Sequence, residues 1–144
     1  MKKIHLFIVV CTAVLSSCSN DDSNDSVNAP LSVTINGIDK SFDEVDVEIS
    51  GDRVYVTALT PNHSETISFE TTINYVGDEM IYEVIYNNDN GVYREISVGD
   101  ILDNVEVNTE HRLKGTFHGS VKSILLDGDN ETFSFTNGSF DIDY

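Results

Sequence analysis

The chain is short of basic side chains, of cysteine and of sustained apolar runs. Eight lysines and arginines stand against 25 aspartates and glutamates in 144 residues, for a formal net charge of −17. A surface so poor in cations cannot neutralise a phosphate backbone or be drawn to anionic head groups, which excludes nucleic acid as a partner. The two cysteines, Cys11 and Cys18, both lie close to the N-terminus, so the rest of the chain carries no disulfide framework. The longest apolar stretch, residues 4–15, would reach about 18 Å as a helix against a bilayer core of about 30 Å, too short to remain as a membrane span. No GxSxG elbow, HExxH pair or glycine-rich phosphate loop is present, which lowers the case for the enzyme classes built on them, and no motif calls for a cofactor.

What is present begins with Met1-Lys2-Lys3, a basic head followed by that short apolar segment, which is the layout of a signal peptide. The segment ends in Leu15-Ser16-Ser17-Cys18, which resembles the lipobox of bacterial lipoproteins. The resemblance implies that the Cys18 thiolate attacks a diacylglyceryl donor and that a peptidase needing small residues then cuts before it. Residues 1–17 are then lost, and membrane lipid is the first partner, through acylated Cys18. One acyl chain anchors marginally and two or three anchor durably, at about 0.8 kcal/mol per buried methylene. The plain alternative is ordinary secretory cleavage with Cys18 a spare thiol. Cleavage before Cys18 removes Lys2 and Lys3, leaving six basic residues against 25 acidic ones, a net charge of about −19.

Residues 18–30 form an acidic tether after the lipidated cysteine, with one valine and no aromatic side chain, too polar to offset ordering entropy by burial. Its serines and aspartates resemble the export signal of Bacteroidota surface lipoproteins, which would be carried here by Asp21, Asp22 and Asp25 and would place the protein on the outer face of the outer membrane. Asp25-Ser26-Val27 is similar to the short O-glycosylation motif of that phylum, with Ser26 as acceptor. A solvated, unmodified linker is the plain alternative for both.

From Leu31 the apolar period becomes two. Leu31, Val33 and Ile35 alternate with polar residues and meet Asn36-Gly37, a hairpin turn. Val45, Val47 and Ile49 follow with Phe42 out of phase, which predicts a bulge or strand start near Asp43-Glu44. Val54, Val56 and Ala58 read as a central strand. Ile67, Phe69, Thr71, Ile73 and Tyr75 share one face of the next, which Gly77-Asp78 ends. Residues 80–86 and 92–98 flank a loop at 87–91, and shorter strands are expected at 105–107, 113–118 and 121–126. Phe133 and Phe135 are odd-numbered whereas Phe140, Ile142 and Tyr144 are even, so a bulge or turn is expected at Asn137-Gly138. Nine or ten short strands and no capped 3.6-residue stripe give one all-β domain over residues 31–144. The first choice is an antiparallel β-sandwich and the alternative a closed up-and-down β-barrel.

The C-terminal pattern, Gly115-Thr116-Phe117-His118-Gly119 followed by Phe133-Ser134-Phe135-Thr136-Asn137-Gly138-Ser139-Phe140, resembles the ending of a family of small Bacteroidota lipoproteins without an assigned function. It brings no catalytic residues. His63, His111 and His118 lack ligand spacing and read as surface residues. Asp127, Asp129 and Glu131 alternate like the opening of a calcium loop, but Thr132 stands where the sharp turn needs glycine, so a hairpin turn is the plainer reading. Paired carboxylates for glycoside hydrolysis could arise by chance among 25 acids.

The expectation is therefore a lipid-anchored binding or accessory module in the cell envelope, with an unknown protein or glycan as ligand. The alternative is a small envelope hydrolase acting on glycans. Anchor and address separate by mutation. Cys18→Ala should abolish lipid labelling, whereas alanine at Asp21, Asp22 and Asp25 should keep labelling but trap the protein facing the periplasm. Protease shaving of intact cells reads the difference, and equal accessibility of the alanine tether would make the acidic run a mere linker.

Overall fold

The computed structural model describes residues 29–123 and 131–144, which fold as one antiparallel all-β sheet. Its strands are β1 Leu31–Ile35, β2 Ile38–Phe42, β3 Glu44–Ser50, β4 Arg53–Leu59, β5 Thr66–Thr72, β6 Gly77–Asp78, β7 Ile81–Asn88, β8 Gly91–Arg94, β9 Ile101–Asn108, β10 Arg112–Ser123 and β11 Thr132–Asp143. The sheet order is β2-β1-β11-β10-β8-β7-β5-β4-β3, with β9 a second partner of β10 and β6 paired to β9. Chain neighbours are thus sheet neighbours along most of the path, the meander of an up-and-down barrel. Its two ends, β2 and β3, follow one another in the chain with only Asp43 between them, so the sheet nearly closes on itself.

Local chemistry explains the turns and bends. Asn36 and Gly37 have φ of 49° and 81°, the left-handed pair that a two-residue hairpin needs. Phe42 still pairs with Leu31 of β1, whereas Glu44 already pairs with Leu59 of β4, so the chain changes partner at Asp43, where Phe42 falls out of phase. A polar network spans this bend: Lys40 Nζ donates to Glu65 at 2.7 Å and the Tyr86 hydroxyl donates to the same carboxylate at 3.0 Å. Burial, with the neighbouring Glu65 charge, pushes the Tyr86 hydroxyl up to about 12. The slip near Asn137 is a bulge: Phe117 pairs with Gly138 and Gly119 with Phe135, while Asn137 has φ 52° and β11 runs on unbroken.

Several expected boundaries move. β5 stops at Thr72 because Asn108 Nδ2 donates to the Thr72 and Tyr75 carbonyls, both at 2.9 Å, and folds the chain away there. Tyr75 is left exposed, and Gly77–Asp78 is a short strand of its own on β9. β8 stops at Arg94 because Asp100 Oδ2 accepts the Ile96 and Ser97 amides, at 3.2 and 3.0 Å, and draws residues 95–100 into a loop. β10 is one strand where two were expected, since Gly119 stays paired with Ile101 of β9 and Phe135 of β11, and the extra residue of the slip lies on β11. The described residues therefore hold eleven strands rather than nine or ten.

The interior is filled by side chains. Leu31, Phe42, Val54, Ala58, Ile67, Leu113 and Val121 are each fully buried, and aromatic rings run through the middle. Phe69 meets Phe140 at 5.4 Å between centroids, Phe140 meets Phe117 at 6.4 Å, Phe117 meets Phe135 at 6.2 Å and Phe135 meets Tyr86 at 5.9 Å. Two glycines make room for them. On β10 and β11 the tripeptides Gly115-Thr116-Phe117 and Gly138-Ser139-Phe140 run antiparallel, so that Gly115 faces Phe140 and Phe117 faces Gly138. A Cβ on Gly115 would stand 2.6 Å from Phe140 Cζ, and one on Gly138 would stand 2.5 Å from the Phe117 carbonyl oxygen and 2.8 Å from its ring.

Close neighbours, rather than an unusual φ, thus demand glycine at both positions: the facing phenylalanine at each, and at Gly115 also the Asn104 carbonyl of β9. Gly115→Ala and Gly138→Ala should each lower the unfolding free energy by about 1–3 kcal/mol, the usual cost of overpacking. Urea unfolding at unchanged m-value checks this, and wild-type midpoints for both variants would refute the pairing argument.

Candidate functional site

The site arises where the sheet forks. One edge of β10 is paired with β11, and the other is shared: β9 takes the part from Leu113 to Gly119, while β8 takes only Lys122 and Ser123. On the far side of the fork, β7 is paired with β5, and with β8 only from Ile85 to Asn88. Among the described residues no ladder joins the first half of β7 to β9. The seam opens as a cleft of about 410 Å³ between Ile81, Tyr82 and Glu83 on one side, Ile101 and Asp103 on the other, and the loop from Glu95 to Gly99 across one end. That volume lies within the range of ordinary small-ligand sites.

Backbone groups that a ladder would have paired are taken by carboxylates instead. Asp103 falls in phase with Ile101 and Val105 on the inward face of β9, is 7% exposed, and accepts the Met80 amide through Oδ2 at 3.0 Å, with the Ile81 amide also bonded to it. Burial raises its pKa above the usual carboxylate range, and the charges of Asp78 and Glu79 push the same way against the two amides. Glu95 is raised as well, first by burial and then by Asp100, while the amides of Ile101, Val84 and Gly99 hold it down. Both carboxylates are thereby tied to the backbone on either side of the seam.

Two further acids line the cleft under backbone strain. Glu79 has φ 60° and Glu83 has φ 53°, a left-handed conformation uncommon for a residue with a long side chain. Glu83 marks a bulge in β7: Ser68 pairs with Ile85 and Glu70 with Tyr82, so that Ile81, Val84 and Tyr86 all point inward although their numbers differ in parity. At the lip of the cleft Ile96 is 58% and Val98 96% exposed. The lining mixes this apolar surface with Glu79, Glu83, Glu95 and Asp103, and among the described residues no lysine, arginine or histidine contributes to it.

The residues singled out in the sequence do not meet here. Cys18, Asp21, Asp22, Asp25, Ser26, Asp127 and Asp129 lie outside the described residues. Glu131 accepts the Tyr93 hydroxyl at 2.8 Å, at the far end of β8 from the cleft loop. His111 and His118 are exposed, His63 bonds Glu44 at 2.8 Å, and among the described residues no group of three or more His, Cys, Asp or Glu side chains is placed to hold a metal ion. The cleft acids escaped the sequence reading, though a signal existed. Asp103 alternates with Ile101 and Val105, and the apolar parity changes across Glu83. Comparison with family models, with curated proteins and with solved structures finds no match.

A carboxyl whose folded pKa is raised holds more protons folded than unfolded. Its cost is absent below the ordinary carboxylate range, grows as pH rises through the window up to the folded value, and is complete above it. Asp141, lowered by its paired bonds from Arg112 at 2.9 Å, behaves oppositely, and its contribution disappears as pH falls through its depressed value. The two windows do not overlap. As pH falls from neutrality to the ordinary carboxylate range, the wild type should therefore gain stability relative to Asp103→Asn, measured by urea unfolding at each pH. A difference that stays constant with pH would show that Asp103 is not ionised at cost.

Proposed function

We propose that the chain is a lipid-anchored binding or accessory module of the cell envelope, held to the outer membrane through acylated Cys18 and displayed on the cell surface by its acidic tether. The observation that carries the binding reading is the division between a filled interior and an open seam. The core holds packed rings, so recognition falls to the surface, and the cleft offers apolar area with directed charge. The outward positions of the barrel support anchoring over spanning. In one row they read Glu48, Tyr55, Glu70 and Tyr82, with the apolar residues turned inward, the reverse of a transmembrane barrel. The lipobox resemblance, the tether's resemblance to a surface-export signal and the C-terminal Gly/Phe pattern similar to small Bacteroidota lipoproteins supply the rest of the reading.

The alternative, a small envelope hydrolase acting on glycans, draws on the same cleft, since a carboxyl held above its usual pKa can serve as a general acid. It is the weaker reading because Glu95 and Asp103, the two raised carboxyls, both accept backbone amides and hold the seam together. The two readings part in one experiment. The full chain, purified with its lipid from expressing cells, should release no reducing ends from envelope or host polysaccharides. Intact cells displaying it should retain a ligand on crosslinking that Cys18→Ala cells do not. Reducing-end release that Glu95→Gln or Asp103→Asn abolishes would replace the module with the hydrolase.

A further inference from the structure

Lys40, Arg53, Arg112, Lys114 and Lys122 are each already paired with an acid of the same chain: Glu65, Glu70, Asp141, Glu106 and Asp100 respectively. None of these cations lines the seam, and neither does Arg94, which precedes its loop, so among the described residues the four carboxylates meet no lysine or arginine within the cleft. Two of the four spend their acceptors on backbone amides. For Glu79 and Glu83 the described residues offer no hydrogen bond or ion pair, and their strained backbone fixes them at the cleft wall. Beside them Ile96 and Val98 are exposed on a loop pinned by Asp100.

We infer that the seam cleft receives an extended basic peptide segment of a partner protein, with a lysine or arginine side chain against Glu79 and Glu83 and adjacent apolar residues on Ile96 and Val98. The inference rests on the binding-module reading and names the class of partner. Charge complementarity selects the cation, and a lysine or arginine suits a wall that is both apolar and acidic because its stem is apolar and its head charged. Exposure selects a peptide over a small amine. A single ammonium compound would leave Val98, 96% exposed, still in water, whereas residues flanking a docked lysine would cover it.

The test uses a fluorescein-labelled peptide of alternating lysine and valine, acetylated and amidated, titrated with the full chain at about 0.15 M salt to screen diffuse attraction. Glu79→Gln with Glu83→Gln should weaken binding by about tenfold. Asp46→Asn with Glu48→Gln, which removes the same charge from the outer face of β3, should change it by less than about twofold. Val98→Ser, at a tip too exposed to affect folding, should weaken it severalfold, and spermidine should compete poorly. Near-ultraviolet circular dichroism confirms that each variant keeps its fold.

Equal losses in the two paired variants would reduce the effect to overall acidity and overturn the proposal. So would absence of peptide binding by the wild type, or spermidine competing as well as the peptide does with Val98→Ser silent. None of these results produces glycan turnover, so they leave the choice between module and hydrolase to the reducing-end measurement.

Discussion

The structure depends on two phenylalanines that each lie across from a glycine on the neighbouring strand. Phe117 on β10 faces Gly138 on β11, and Phe140 on β11 faces Gly115 on β10. The two strands are the longest of the sheet, twelve residues each, and between them they carry β1 on one side and β8 and β9 on the other. A Cβ at Gly138 would collide with the Phe117 carbonyl and ring, and one at Gly115 with the Phe140 ring and the Asn104 carbonyl of β9, so the two glycines fix how closely β10 meets both neighbours and where the rings stand. Phe69, Phe135 and Tyr86 then pack against the pair, and the barrel fills from that point.

A filled barrel still has to close, and this one closes by two different means. At Asp43 a strand bends and exchanges partners, with Glu65 joining Lys40 to Tyr86 across the bend. At the fork of β10 no strand completes the ladder, and Asp103 and Glu95 accept the amides that a strand would have taken. Burying those carboxylates disfavours their charged form, the direction in which both pKa values move. The return is a seam that stays open and acidic.

The charge of the chain is accordingly not spread evenly in its consequences. Most of the acids solvate the outer face, and the basic residues named above are taken up in ion pairs worth little each at such exposure. At the seam negative charge meets the exposed apolar side chains of Ile96 and Val98 inside a concave wall, and there the acidity acquires a direction.

The sequence by itself determined that the domain is all-β, where its first turn lies, that the chain breaks at Asp43 and slips at Asn137, because a period of two leaves a record whenever its phase changes. A phase change at Glu83 and an acid in phase at Asp103 were also present, but neither could be read as part of a site from the chain alone. Whether an acid in phase with Ile101 and Val105 is an error of phase or a buried carboxylate depends on the amides of Met80 and Ile81, more than twenty residues away. The short strand at Gly77, the end of β8 at Arg94 and the exposure of Ile96 and Val98 were likewise decided by Asn108 and Asp100 reaching across the sheet. Alternation along one strand is a local property that the sequence carries in full. The place where a sheet forks is set by competition among strands for one edge of β10, which only the tertiary structure resolves.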